Sequence, residues 1–205
     1  MPGGDTFAAL YHGRSVMVVG GGLSAAHICL SAARHGASKV VLLTRGALRI
    51  RPLDVGLEWF DRLTQRRHLC KFLQSSPAQR ADMVRSSRGG GSITGDVYAQ
   101  LLTLVESGRL SMMQNTSISQ LIAHEDGTCT PMCTAAQPLG RYDLVVLATG
   151  STANPQQHPL MSLLMKAAPV DVIAGFPVVT PELRWRRDCP IYVMGTAAGM
   201  SVGGC

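Results

Sequence analysis

The chain has 205 residues, a formal net charge of +6 and no apolar run as long as a membrane span. This length is enough for one sizeable domain, or for one domain and part of a second. The first five residues lack the basic and apolar regions of a secretory signal. These features predict a soluble, cytoplasmic protein that does not associate with membranes.

The positive charge is concentrated in one segment. Residues 45–91 contain ten Lys and Arg against four Asp and Glu, whereas the rest of the chain contains nine of each kind. Such a patch suits an anionic cofactor, and it would also suit nucleic acid. The segment has few aromatic residues for base stacking and no recognition-helix or zinc-finger spacing. We therefore expect an anionic small molecule as the partner, and no nucleic acid.

An apolar strand, a glycine turn and a helix follow one another near the start of the chain. The pattern predicts a buried strand over Ser15–Val19 and a helix over Leu23–His35 that ends at Gly36. A second apolar strand is predicted over Lys39–Thr44. Together these elements form the βαβ unit that a dinucleotide-binding site requires.

The glycine turn fits the dinucleotide-binding pattern G-x-G-x-x-G/A. Gly20 allows the tight turn, Gly22 lets the backbone approach the phosphates, and Ala25 permits close packing of the helix on its strand. The pyrophosphate would bind backbone N–H groups at the helix N-terminus. The candidate cofactor-binding residues of the turn are Gly20, Gly21, Gly22, Leu23, Ser24 and Ala25. The alternative is a purely structural glycine turn in an α/β protein.

The residues after the second strand bear on which dinucleotide is bound. Sites for NAD or FAD usually place an acidic residue there, against the ribose 2′-hydroxyl, whereas NADP sites place arginine near the 2′-phosphate. This chain has no carboxylate before Asp54, and its basic residues there are Arg45, Arg49 and Arg51. The pattern favours NADP(H), with Thr44 and Arg45 as candidate contacts. The other two arginines fit a solvated surface nearly as well.

A segment of roughly residues 47–108 separates the second strand from the third, and its pattern is mostly helical. Two amphipathic pieces are predicted over Asp54–Lys71 and Ser76–Arg88, with Pro77 in the first turn of the second. A further helix is predicted over Gly95–Glu106. We interpret this segment as a helical insertion in the βαβ framework.

Three consecutive glycines at 89–91 interrupt the helical pattern. Glycine lets backbone N–H groups face a ligand, so the run could form a second phosphate-binding loop, and it could equally be a flexible connector. Ser92 and Thr94 follow the run as further candidate cofactor contacts. Thr94 is also a candidate N-cap for the next helix.

The next predicted elements are strands. A third parallel strand is predicted over Leu110–Gln114, and a small β hairpin within residues 118–135 has the Asp-Gly chemistry of a tight turn. An apolar strand within Tyr142–Gly150 ends in Ala-Thr-Gly. We assign residues 1–150 to one Rossmann-like NAD(P)-binding domain with an α/β fold and a parallel sheet.

Residues 151–205 are rich in proline and irregular. A short helix is predicted over Leu160–Ala167, and a last strand over Ile191–Met194 ends at Gly195. The histidines are scattered, and the pair Cys129 and Cys133 has no second Cys or His pair at zinc spacing. We therefore expect no metal site, and the sequence assigns no catalytic residue.

Several of these motifs together carry a family resemblance over about residues 11–199. They are Val-Val-Gly-Gly-Gly-Leu-Ser-Ala, a basic residue after the second strand, the hairpin, the Ala-Thr-Gly strand end and a final Tyr-Val-Met-Gly. The chain resembles two-dinucleotide-binding flavoproteins. It looks most like the NADPH-binding half of flavin-dependent monooxygenases that N-hydroxylate ornithine or lysine, and related uncharacterised FAD/NAD(P)-binding proteins. The resemblance implies a three-layer Rossmann-like fold and hydride transfer from NADPH to FAD.

The resemblance also implies that part of the family's structure is missing. Family members begin with an FAD-binding βαβ unit that has its own glycine fingerprint, whereas this sequence has only the fingerprint at Gly20–Ala25. The FAD lobe is then incomplete, with residues 151–205 as its partial C-terminal segment, and the chain is a fragment or a truncated member that binds NADP(H) without holding FAD stably. By resemblance, Arg45 serves NADP, and the flavin-side contacts are Thr149, Gly150 and Gly195.

Two alternatives stay open. The chain could be a non-enzymatic dinucleotide-binding or sensing module that works with a separate flavin-binding partner, or a basic interaction protein with a structural glycine turn. If an FAD lobe is absent, Leu144–Gly150, Phe176–Val179 and Ile191–Met194 would form an uncovered apolar face. Such a face promotes association, which predicts self-association or poor solubility.

Overall fold

The computed structural model describes residues 4–53, 56–88, 90–150 and 154–202. The helices in this part of the chain are α1 (Gly4–Tyr11), α2 (Leu23–Arg34), α3 (Gln65–Gln74), α4 (Pro77–Arg88), α5 (Gly95–Glu106), α6 (Pro159–Ala167) and α7 (Gly199–Val202). Short 3-10 turns lie at Leu57–Trp59 and Gly195–Ala198. The strands are β1 (Ser15–Val19), β2 (Lys39–Leu43), β3 (Leu110–Met113), β4 (Ile118–Ala123), β5 (Cys129–Cys133), β6 (Leu144–Leu147), β7 (Val172–Ile173), β8 (Phe176–Pro177), β9 (Arg184–Arg186) and β10 (Cys189–Tyr192).

The chain divides into two compact units. Unit 1 comprises residues 1–54 and 90–150, and unit 2 comprises residues 55–89 and 151–205. The sequence-based division also places a boundary near residue 150, but it keeps the whole helical insertion within the first domain. In the structure, residues 55–89 belong with unit 2 because Phe72 and Val84 share a buried cluster with Phe176 and Met200.

Unit 1 is built on a four-stranded parallel sheet with the order β3-β2-β1-β6. β1 lies at its centre, paired with β2 on one side and β6 on the other. Its middle residues are fully buried because the sheet is covered on both faces, as is usual for parallel sheets. The predicted α/β fold with a parallel sheet is therefore confirmed.

The two faces of the sheet bury alternate residues of each strand. Val16 and Leu42 pack in the same cluster as Leu101 and other residues of α2 and α5. On the opposite face, Met17 and Val41 pack with Tyr142 and with residues that border the β4–β5 hairpin. The result is three layers, with helices on one side and the antiparallel hairpin on the other, as the sequence predicts.

The prediction of one amphipathic helix over Asp54–Lys71 is wrong. The described part of this stretch forms the 3-10 turn at Leu57–Trp59, and α3 begins only at Gln65. The Asp61 carboxylate accepts hydrogen bonds from the N–H group and the hydroxyl of Thr64, at 3.2 and 2.8 Å. Such local side-chain bonds compete with helical hydrogen bonding, so they separate the two pieces.

Unit 2 contains the two short hairpins β7–β8 and β9–β10. The predicted last strand, Ile191–Met194, is displaced towards the N-terminus, because β10 pairs antiparallel with β9 and ends at Tyr192. A fully buried Trp185 anchors this region, and its indole N–H donates a 2.6 Å hydrogen bond to the carbonyl of Ala168.

Candidate functional site

The glycine turn lies where the carboxyl ends of β1, β2 and β6 meet. The N–H group of Gly20 donates to the carbonyl of Leu43 at 3.0 Å, and that of Ala148 donates to the carbonyl of Val19 at 2.8 Å. A Cβ atom on Gly20 would lie 2.3 Å from the Ala148 carbonyl oxygen, and its φ is +153°. Glycine is therefore required at this position. In open α/β sheets, ligands bind where the strand order reverses, and here β2 lies on one side of β1 and β6 on the other.

The turn leads directly into the N-terminus of α2. Gly22 is the N-cap residue, with extended backbone angles and no side-chain cap on the helix. Ser24 is exposed and Ala25 is buried against the sheet. The first-turn N–H groups and the positive end of the helix dipole thus face outward without a capping side chain, which is the arrangement that binds a pyrophosphate.

A second glycine loop packs against this turn. A Cβ atom on Gly91 would lie 2.5 Å from the Cα atom of Gly22 and 2.7 Å from its nitrogen. Gly90 has a left-handed φ of +93°. The loop therefore touches the turn through backbone alone, and glycine is needed at residue 91 for this contact. Its contact with a phosphate stays a prediction, and Gly89 lies outside the described residues.

The two polar residues after this loop have different surroundings. Ser92 is buried, with 3% of its surface exposed. Thr94 is the N-cap residue of α5, as predicted, but its side chain makes no capping bond to the helix. Instead, the Thr94 side chain hydrogen-bonds to the Asp96 carboxylate and lowers the pKa of that exposed group.

The loop that follows β2 carries the predicted basic contacts. We define residues 45–51 as the arginine loop. Thr44 is buried at its start, where its hydroxyl donates to the carbonyl of Gly46 at 2.7 Å. A Cβ atom on Gly21 would lie 3.9 Å from the Thr44 methyl group, so the loop begins beside the glycine turn.

Arg45 is exposed and takes part in no ion pair within the described part of the chain. The other two arginines are fixed through their backbone. The N–H group of Ile93 donates to the carbonyl of Arg49 at 2.9 Å, and the N–H group of Arg51 donates to the carbonyl of Ile93 at 3.0 Å. The arginine loop and the second glycine loop are therefore joined, and both lie at the carboxyl edge of the sheet.

The predicted flavin-side residues do not gather in one unit. Thr149 and Gly150 are exposed after β6 in unit 1, and Gly150 has a φ of +78°. Gly195 begins a 3-10 turn in unit 2, with a φ of +67°. Their proposed roles rest on the family resemblance alone.

The pattern analysis missed the residues that connect these loops. Ile93 joins two loops across 40 residues or more of sequence, and Gln114 accepts a 2.9 Å hydrogen bond from the N–H group of Leu48. Gln114 carries a usable signal, because it is a polar residue at the carboxyl end of a parallel strand. Ile93 carries none, since it resembles any buried apolar residue.

The described residues contain no group of three or more His, Cys, Asp or Glu side chains that could hold a metal ion. Among the helices resolved over the ranges given above, none has the length and apolarity needed to cross a membrane.

The Cys29 thiol is buried in the unit 1 core, and burial raises its pKa to about 12.

Comparison with known proteins gives a fold match. No family model and no curated protein matches the chain. The cadaverine monooxygenase DfoA from Erwinia amylovora, solved with FAD, matches 96% of this chain with a TM-score of 0.70 and 15% identity. The ornithine N-hydroxylase KtzI from Kutzneria sp. 744, solved with reduced FAD, NADP⁺ and L-ornithine, matches 93% with a TM-score of 0.65 and 20% identity.

The L-lysine 6-monooxygenase from Pseudomonas syringae also matches 93% of the chain, with a TM-score of 0.61 and 21% identity. The chain covers 48%, 48% and 51% of these three proteins, which is about half their length. At these identities the similarity shows the fold. The expected resemblance to N-hydroxylating flavin monooxygenases, and to the Rossmann-like fold of FAD/NAD(P) oxidoreductases, is thus confirmed.

Proposed function

We propose that this chain is the NADP(H)-binding part of an FAD-dependent, monooxygenase-like oxidoreductase. The observation that carries the proposal is the glycine turn at the carboxyl end of the central strand. There, Gly20 fits closely beneath Ala148, and Gly22 opens a helix without a side-chain cap. Side chains are absent where a pyrophosphate needs direct access to backbone N–H groups.

The choice of NADP(H) over NAD(H) rests on the arginine loop. Arg45 directly follows the buried Thr44, so its backbone begins beside the turn while its guanidinium group is exposed. A guanidinium group binds phosphate oxygens in a bidentate manner, and the ribose 2′-phosphate is the phosphate that distinguishes NADP(H). In this chain the cofactor would be held by the turn residues at its pyrophosphate and by Arg45 at its ribose.

FAD fits the described residues less well than NADP(H). The sequence has one glycine fingerprint, and the chain spans about half the length of its structural neighbours. We therefore propose that the flavin is bound mainly by polypeptide beyond this chain, and derive no reaction step at the flavin from its residues. In such an enzyme the flavin would accept hydride from NADPH, and this chain would bind and orient the nicotinamide dinucleotide.

The exposed apolar residues support a missing flavin-binding half, although the predicted uncovered face is only partly correct. Phe176 and Pro177 are buried, because they pack within unit 2. By contrast, Leu147 is 61% exposed in unit 1, and Tyr192 and Met194 are 60% and 83% exposed in unit 2. Exposed apolar side chains mark an interaction surface where they form a contiguous patch.

The same observations favour a second candidate function. A non-enzymatic dinucleotide-binding module that pairs with a separate flavin-binding chain would also have one fingerprint and exposed apolar strands. Co-purification from the native source distinguishes the two proposals. A stoichiometric flavoprotein partner supports the second, whereas flavin-dependent NADPH oxidation by a longer form of the same polypeptide supports the first.

Calorimetric titration with NADP⁺ and with NAD⁺ tests the binding proposal directly. We expect NADP⁺ to bind at least tenfold more tightly, a difference of about 1.4 kcal/mol. Arg45→Ala should remove most of this difference, whereas Arg187→Ala, which removes an exposed positive charge from unit 2, should leave it intact. Binding of neither dinucleotide would contradict the proposal, and tight retention of FAD would contradict the view that the flavin is bound elsewhere.

A further inference from the structure

We infer that Gln114 is a positioning residue that sets the preference for a dinucleotide carrying a 2′-phosphate, by fixing the arginine loop. The inference rests on the proposed function. Gln114 directly follows β3, and its side-chain oxygen accepts a 2.9 Å hydrogen bond from the N–H group of Leu48. The side chain thus reaches from the third strand to the loop that follows the second.

This contact holds the middle of the arginine loop. The start of the loop is held by the Thr44 hydroxyl on the Gly46 carbonyl, and its end by the two backbone bonds to Ile93. Leu48 lies between these attachments, and its N–H group is bound by the Gln114 side chain. Loss of this bond would free residues 46–49, which directly follow Arg45, so the backbone next to Arg45 would be less restrained.

The position of Gln114 is itself well defined. Its carbonyl accepts a 3.1 Å hydrogen bond from the hydroxyl of Thr116, whose N–H group donates to the carbonyl of Thr44 at 3.0 Å. The N–H group of Thr44 donates in turn to the carbonyl of Met113 at 2.8 Å. The ends of β2 and β3 are therefore linked on both sides of Gln114. Its backbone is held in place, and its side chain binds Leu48 from that position.

A fixed loop matters because Arg45 is exposed and has many rotamers. Ordering a long side chain on binding costs free energy, and ordering a mobile loop at the same time adds to that cost. The cost falls on the 2′-phosphate contact, since the pyrophosphate turn is held separately by Leu43 and Ala148. The expected signature is therefore a change in selectivity between NADP⁺ and NAD⁺.

The test is a titration of the full chain and its variants with each dinucleotide. Gln114→Met keeps the length of the side chain and removes the acceptor. We expect the Kd for NADP⁺ to rise about fivefold, which is the change that the loss of one hydrogen bond typically produces. The Kd for NAD⁺ should change less than about twofold. Gln120→Met, at an exposed position on β4, is the matched control and should change neither constant.

The possible outcomes separate the inference from the proposed function. If the unsubstituted chain does not prefer NADP⁺ to NAD⁺, the proposed function is contradicted, whatever the variants of Gln114 show. If it does, equal weakening of both dinucleotides by Gln114→Met assigns this residue to general folding and overturns the inference, as does unchanged selectivity. Gln114→Ser shortens the side chain so that its oxygen no longer reaches the Leu48 N–H group, and gives a second test should the methionine variant lose its circular dichroism spectrum.

Discussion

Units 1 and 2 bury their cores in different ways. Unit 1 encloses a continuous parallel sheet between helices and a hairpin, so the central residues of β1 are buried on both faces. Unit 2 joins residues 55–89 to residues 151–205 through one smaller buried cluster around Phe72, and a second cluster around Trp185 lies within residues 151–205. Of the two units, it is therefore unit 1 whose covered parallel sheet can hold a dinucleotide-binding turn rigidly. Because the cores are separate, the two units can be perturbed one at a time.

The chain also provides a separate reporter for each unit. Both of its tryptophans, Trp59 and Trp185, lie in unit 2, so tryptophan fluorescence follows the unfolding of unit 2. The buried Cys29 lies in unit 1, and a thiol with a raised pKa is protonated and protected while that unit is folded. Thiol labelling of Cys29 therefore follows unit 1.

The largest effect is expected from Phe72→Ala. Phe72 is fully buried in unit 2 and makes an edge contact with the Trp59 ring at 5.5 Å, so its removal should cost about 4 kcal/mol. The measurement is urea unfolding followed by tryptophan fluorescence. Phe60→Ala, at a half-exposed position, should cost less than about 1 kcal/mol. A parallel loss of NADP⁺ affinity in the Phe72 variant would contradict the separation of the units.

Gly20→Ala should produce the corresponding effect in unit 1. The new Cβ atom would collide with the carbonyl of Ala148, and the positive φ is unfavourable for alanine. Overpacking and backbone strain together should cost about 3 kcal/mol and abolish dinucleotide binding. Faster labelling of Cys29 is the readout. Gly46→Ala, where an added Cβ atom has no neighbour within 4 Å, is the control. Equal labelling rates in the two variants would disprove the steric argument.

Trp185→Phe tests a single hydrogen bond within unit 2. The ring stays largely filled, but the Ala168 carbonyl loses its indole donor, which should cost about 1–2 kcal/mol. Trp59→Phe is the matched variant, because the indole nitrogen of Trp59 has no hydrogen-bond partner in the described structure. We expect a smaller loss there, measured by fluorescence of the remaining tryptophan in each variant. The reverse order would show that the bond contributes little.

The smallest effect is expected at an exposed carboxylate of unit 1. Hydrogen bonds from Thr128 and then Arg141 lower the pKa of Asp126 to about 2 from its ordinary value of 3.8. The folded state favours the charged form, so this stabilisation is present above pH 3.8 and is lost as the pH falls through about 2.

Nuclear magnetic resonance titration of the Asp126 carboxyl group measures this pKa. Thr128→Val should raise it more than Arg141→Gln does, because the hydroxyl bond from Thr128, which this change removes, is the largest single cause. A larger rise in the arginine variant would mean that charge, rather than the hydroxyl and amide donors, controls this group.

The βαβ framework was predictable from the sequence because its signals are local. The apolar run Ser15–Val19 matches β1 residue for residue, and the helix predicted over Gly95–Glu106 matches α5. Gly20 and Ala25 occupy the positions that the fingerprint requires. In such segments, periodicity and turn chemistry agree with the tertiary fold, so local inspection is sufficient.

The rest depends on contacts between distant residues. The break at Asp61 arises from two hydrogen bonds of its carboxylate to Thr64 within an otherwise helical pattern. The strand β9 forms only by pairing with β10, and the packing of Gly91 on Gly22 joins residues far apart in sequence. The sequence identified both glycine motifs, but their contact could be seen only in the folded chain.

The bridge between Ile50 and Ile93 brings together the two points where the chain leaves unit 1 and returns to it. The polypeptide departs and returns at neighbouring points of the sheet edge, so closing a shorter loop there requires little rearrangement. Because loop-closure entropy varies slowly with loop length, the segment of residues 54–89 can be lengthened, exchanged or shortened at small cost to the stability of unit 1. A miniature dinucleotide binder, with a short glycine-serine linker in place of residues 54–89, is therefore a realistic engineering target.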